Sequence, residues 1–289
     1  MDELVTSLER LIRLCLLERL PEDPSGELAA MDFRNLLVIY GNWRARVPSM
    51  TPRATRMSSV LAASPKRVEH EKALDELVAK IEAGADLKDH LSERVETAYV
   101  PTSSRGRQHR RKDLDLLLAD WGIHHLHLPT ATQQRGNDLL FAAFTDRDAY
   151  LIDILPHGRW TTTNLIETIV REWPDAGLVH RSRSGAQLKH NWSDADRADM
   201  RNAGMSLFVE VDGVACGPPG QTLGGMPIAV SRRVVGLVAT LDDWRANAAR
   251  LLAEHRDPAC RRPWLPIIEG EEIGFTDASG LFVHLGRLA

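Results

Sequence analysis

Cysteine is scarce in this chain: Cys15, Cys216 and Cys260 lie far apart, are odd in number and show no C-x-x-C spacing. That excludes a disulfide framework and a cysteine-based zinc site. No apolar run approaches membrane-spanning length, and no basic stretch followed by a short apolar one stands near Met1. A cytoplasmic, reducing setting without a membrane partner is therefore expected. Also missing are G-x-S-x-G, H-E-x-x-H, G-x-x-x-x-G-K-[ST] and a G-x-G-x-x-G after a strand. Serine hydrolases, zincins, P-loop enzymes and dinucleotide enzymes lose their usual support, and no motif calls for a cofactor. Gly217-Pro218-Pro219-Gly220 with Gly224-Gly225 is glycine-rich, yet its prolines remove the amide donors a phosphate cradle needs, so it reads as a loop. Neither sign of charge dominates. With 36 Lys and Arg against 40 Asp and Glu, the net charge of −4 exerts no global pull on nucleic acid.

What is present is a hydrophobic content of 43% with 26% charged residues, enough for a globular chain with a real core. Apolar residues recur at helical spacing over 4–20, again in a single helix that starts after Asp23-Pro24-Ser25, carries Phe33 to Trp43 inward and stops at Pro48, and over 69–82, where Gly84 supplies a C-terminal stop. Between them, 53–65 reads as irregular or short helix, so the first hundred residues are expected to be helical. Residues 100–112 lose apolar periodicity and gain Pro, Ser, Gly and Arg. That run is read as a linker, and its cluster Arg105, Arg107, Arg110, Arg111 and Lys112 as the local basic patch able to follow an RNA or DNA backbone.

Past a short helix at 113–120, strands are expected at 123–128, 139–145 and 149–155, the last two joined as a hairpin through Asp146-Arg147-Asp148. Helix follows at 163–172, with Asn164 and Glu167 as a capping-box variant, and again near 193–203. The Asp212-Gly213 step marks a second hairpin, 230–254 a long helix, and 273–276 with 281–285 a third hairpin.

Groups that titrate near neutrality crowd between Trp121 and Trp160. Alternation along a strand puts Ile123, His125 and His127 on one face and His124 with the apolar set on the other. His124 reads as a hydrogen-bonded core residue. His125 and His127, about 7 Å apart along the pleat, can converge on one small target. His157 and Arg159 follow the third strand at a turn into a helix, where amide groups would also suit an anion, although a plain helix-entry turn stapled by Trp160 explains them equally. Arg135 stands in the polar loop 130–137. Together His125, His127, Arg135, His157 and Arg159 would supply proton transfer and cationic clamps for a phosphodiester without metal. The same imidazoles with Asp153 could instead form an open metal site, but H-x-H is a weak signal and the side on which Asp153 falls does not follow from alternation.

These residues carry a resemblance. The pattern D-W-G-I-H-H-L-H-L, an Arg in the next loop, L-L-F-A, and Y-L-I-D-I-x-x-H-G-x-W is similar to an uncharacterised family of bacterial proteins, a likeness extending to N-W-R near Asn42 and to K-I-E-A-G-A-D-L with H-L-S between 80 and 92. In outline, a helix and strands carrying basic residues and a terminal histidine also resemble the small ribonuclease toxins of the RelE-like class. That likeness implies RNA cleavage by Arg, Lys and His without metal.

The expectation is an α+β fold: an N-terminal helical region (1–100), a basic linker (101–112), an α+β domain bearing the histidines (113–190) and a C-terminal α+β portion (191–289). The leading functional reading is a metal-independent nuclease or related phosphodiester-acting protein of bacterial toxin or defence type. The rival is a non-catalytic module whose N-terminal helices bind a protein partner and whose histidines hold the sheet together.

Overall fold

The computed structural model describes residues 2–21, 26–92, 95, 116–129, 136–158, 163–190, 192–203, 205–220, 227–255, 264–277 and 280–288. The fold is α+β, and the chain divides into two units, one made of Met1–Ala45 with Ala229–Ala289 and the other of Arg46–Ile228.

The chain opens with α1 (Asp2–Arg19), whose Leu8, Ile12 and Leu16 are fully buried at helical spacing. The single helix expected next is two, α2 (Glu27–Ala30) and α3 (Phe33–Arg46). Asp32 causes the break: its carboxylate accepts from the Asn35 amide and its carbonyl from the Leu36 amide, so it restarts the helix as a cap.

The stretch expected as irregular begins with a strand, β1 (Ala54–Met57), followed by α4 (Ser59–Ala63), α5 (Pro65–Glu69) and α6 (Glu71–Ala83). The first hundred residues are thus not wholly helical. Four residues with three exposed are too short and too wet to show a two-residue period. What holds β1 is distant: it lies parallel to β4 (Asp148–Pro156), Ala54 opposite Asp148 and Met57 opposite Leu151. Ser58 then donates to the Ile152 carbonyl at 2.6 Å while accepting from the Leu61 amide, so one buried hydroxyl ends the strand and caps α4.

A 3-10 turn (Lys88–His90) and α7 (Leu116–Trp121) lead to β2 (Ile123–His127) and β3 (Asp138–Phe144), and the sheet order is β1-β4-β3-β2. The central pairings are antiparallel, as expected. Following β4 come α8 (Thr163–Glu172), the short β5 (His180–Arg181), α9 (Asp194–Asn202) and the hairpin β6 (Val209–Val211) with β7 (Val214–Gly217). Asp212 and Gly213 both take positive φ at its turn, the backbone a two-residue hairpin needs. Asn164 lies inside α8 rather than capping it, and the Thr163 amide is met by Asp194 instead. One face of the sheet presents Ile123, Leu139, Phe141, Ala143, Tyr150 and Ile152 to a core completed by α7, α8, β6 and β7.

The other unit is closed by α10 (Ile228–His255) and an antiparallel sheet of β8 (Leu265–Glu269), β9 (Glu272–Thr276) and β10 (Phe282–Arg287). The expected last hairpin is β9 with β10. These strands form their own sheet rather than extending the central one. Glu271, at the turn before β9, accepts from Tyr40 of α3 and pairs with Arg19 of α1 and Arg44, which binds the N-terminal helices to the C-terminal strands.

Candidate functional site

Register places the histidines. His125 stands opposite Phe141, and Phe141 opposite Asp153; His127 stands opposite Leu139, and Leu139 opposite Leu155. Directly paired residues share a face, so His125, His127 and Asp153 extend the apolar face toward the end of the sheet where β2 and β4 finish. Asp153 reaches that face because β4 carries a bulge: Ala142 pairs with Leu151 and Phe141 with Asp153, leaving Ile152 as the extra residue. Strict alternation would turn Asp153 to the other side. This is the placement that sequence alone left open.

His157 follows β4 directly. Its amide donates to the Asn137 carbonyl at 2.9 Å, prolonging the ladder, and Gly158 at φ 94 starts the turn. The imidazoles of His125 and His127 lie 6.3 Å apart between centroids, and those of His127 and His157 6.4 Å. The structure therefore brings all of these imidazoles together in one series. They differ in exposure: His125 is 8% exposed, His127 half-buried and His157 exposed. His125 is as buried as His124, which packs edge-on against Phe144. Both faces of β2 are covered, so alternation did not separate a wet side from a dry one.

The tautomer of His127 follows from its partner. Its Nδ1 lies 3.3 Å from the Gly136 carbonyl, which can only accept, so Nδ1 carries the proton and the neutral ring keeps its lone pair on Nε2. Burial pushes the Asp153 carboxyl up from its ordinary value, opposed by the Ile154 amide donating to it. Arg135 and Arg159, together with Arg105, Arg107, Arg110, Arg111 and Lys112, lie outside the described residues.

A second polar group, which sequence reading missed, occupies the opposite face at the same end of the sheet. Asp138 alternates away from Leu139 and meets α5: its Oδ2 accepts from Lys66 Nζ at 2.7 Å and from His70 Nε2 at 2.8 Å, and Lys66 also pairs with Glu69 at 2.8 Å. Burial alone would raise the Asp138 carboxyl, but the bonds from Lys66 and His70 outweigh it and hold it below the usual carboxylate range. Among the described residues, Glu69, His70 and Asp138 are the group whose donor atoms lie close enough to share a metal ion. The Lys66 ammonium already bridges both carboxylates and offsets one of their two charges. Its only signal in the sequence would have been Lys66 and His70 one helical turn apart, a spacing too common to single out.

Nearby, His90 is 6% exposed and donates from Nδ1 to the His127 carbonyl at 3.0 Å, while its Nε2 lies 3.1 Å from Lys80 Nζ. Compared with models of protein families, with curated proteins and with solved structures, the chain matches none.

Proposed function

We propose that the chain is a metal-independent, phosphodiester-acting enzyme in which His127 and His157 exchange protons with the substrate. The observation that carries this reading is the spacing of a half-buried and an exposed imidazole at 6.4 Å on the end of the central sheet. Imidazole is the side chain that titrates nearest neutral pH, so a pair can present one ring as base and the other as acid. His127 suits the base role, since its Nδ1–H bond to Gly136 directs the lone pair to Nε2. His157, exposed at the turn, suits the acid that protonates a departing alkoxide.

A pair that only moves protons acts most directly on a substrate that carries its own nucleophile. RNA does so through its 2′-hydroxyl, and DNA does not. RNA is therefore the favoured substrate, with the basic residues 105–112, Arg135 and Arg159 proposed to hold its phosphates and stabilise developing charge. On this reading the protein is of toxin or defence kind and works on cytoplasmic nucleic acid. Expression in a bacterial host then slows growth, and His127→Ala or His157→Ala relieves the effect at equal soluble protein. Normal growth with intact RNA from the wild-type chain would count against it.

The second reading, a non-catalytic interaction module, is favoured by the burial of His124 and His125. It predicts that one protein partner is recovered in fixed proportion, that removing residues 1–100 abolishes this recovery, and that histidine substitutions leave it unchanged.

A further inference from the structure

Both ring nitrogens of His90 have defined partners that bear on the candidate site. A carbonyl only accepts, so the bond to His127 O requires the proton on Nδ1; an ammonium only donates, so the contact with Lys80 requires the lone pair on Nε2. Both bonds hold together in one form of the ring, the neutral Nδ1–H tautomer.

The carbonyl it meets is an edge carbonyl. β2 is the outer strand of its sheet, and Leu128 turns its amide to Asp138 and its carbonyl to the Gly136 amide, so the preceding residue points its carbonyl away from β3. There the His127 carbonyl is directed outward from the sheet, and His90 donates to it. The ring thus ties the backbone under His127 to α6 through Lys80.

We infer that His90 is a positioning residue: as a neutral imidazole clamped between Lys80 and the His127 carbonyl, it fixes where the His127 ring sits, and its protonation releases that hold. This rests on the acid–base reading of His127 for its consequence, and not for its geometry. A proton added at Nε2 removes the acceptor that Lys80 uses and sets an imidazolium against an ammonium. Among the described residues, the charged groups acting on the ring are Lys80 and Glu76 of α6 and Asp89 of its own turn. Burial depresses the proton affinity of His90; the His127 carbonyl opposes this, and the Lys80 charge adds to it. The neutral clamp is accordingly the resting state at neutral pH, and acid opens it.

The test is a pH titration of the full chain by nitrogen-detected NMR of the imidazoles. In the wild type, the His127 ring signals show, besides their own inflection, a second at the midpoint of His90. Lys80→Met moves that second inflection upward by about one unit, the scale on which a single close charge acts. His90→Phe abolishes it and shifts the His127 tautomer signals, while His90→Asn, which keeps a donor near the Nδ1 position, restores them in part. If His127 in the wild type shows no inflection at the His90 midpoint, or if folded His90→Phe leaves its signals in place, the inference is overturned. Should His90→Phe not fold, the wild-type and Lys80→Met titrations decide the matter alone. RNA cleavage is measured separately. Its absence overturns the acid–base reading, whereas the His127 spectrum decides the role of His90 in either case.

Discussion

At the scale of single residues, the polar groups inside the 46–228 unit set its sensitivity to substitution. Asp120, 2% exposed, accepts from Arg201 at 3.4 Å and from Ser206, and burial pushes its carboxyl up while those partners pull it down. Removing it takes away the carboxylate to which the 7% exposed Arg201 guanidinium donates inside the unit. Asp120→Ala is expected to lower unfolding stability by about 3–5 kcal/mol in urea titrations, as breaking a buried pair does. A loss under about 1 kcal/mol would mean that water replaces the carboxylate. Asp138 behaves differently with pH. Its carboxyl is held below the ordinary range, so its contribution is complete above about pH 4 and is lost as pH falls through the lower folded value. Asp138→Ala is therefore expected to cost about 1–3 kcal/mol at pH 7, for the donors it strands, and progressively less below pH 4. An equal loss at pH 7 and pH 3 would contradict this.

At the scale of elements, α6 ends as its sequence requires. Gly84 takes φ 67, its amide bonds to the Ile81 carbonyl and that of Ala85 to the Lys80 carbonyl, which satisfies the last turn. A Cβ there would stand 2.5 Å from the Pro52 backbone nitrogen. Gly84→Ala is expected to destabilise the unit by more than about 1 kcal/mol, the cost of positive φ with a clash added, read as a lower urea midpoint. No change in midpoint would show that the 51–52 backbone moves aside. Elements such as this one were legible because their signals are local: the Gly84 stop, the short apolar runs of β2 to β4 and the Asp212-Gly213 turn each lie within a few residues. Signals that depend on distant partners were not. β1 is a strand because β4 offers it an edge, and Asp153 faces His125 because an extra residue at Ile152 shifts the register. Neither cause is visible in the segment it acts on. The same holds for His90, whose meaning comes from a carbonyl 37 residues away.

At the scale of the molecule, residues 46–228 form a unit with its own core of sheet, α7, α8 and the β6–β7 hairpin, while the two ends of the chain share the other. A fragment of residues 46–228 is expected to fold alone, giving dispersed amide signals and a cooperative urea transition; a collapsed spectrum would show that its core needs the remaining residues. Composition pointed to a break near 100–112, but no local feature announces that residues 229–289 return to the N-terminal helices, since Glu271 finds Tyr40 only in the folded chain.

The claim on which the functional account turns is proton transfer between His127, His157 and RNA. Its most direct test is cleavage of a defined RNA by the full chain with metal chelator present, with analysis of the ends produced. The account predicts cleavage that chelator leaves unchanged, products ending in 2′,3′-cyclic phosphate, and a fall of about 10²–10⁴ in rate for either His127→Ala or His157→Ala. Intact RNA after prolonged incubation with the wild-type chain, or cleavage that both substitutions leave at the wild-type rate, would contradict it.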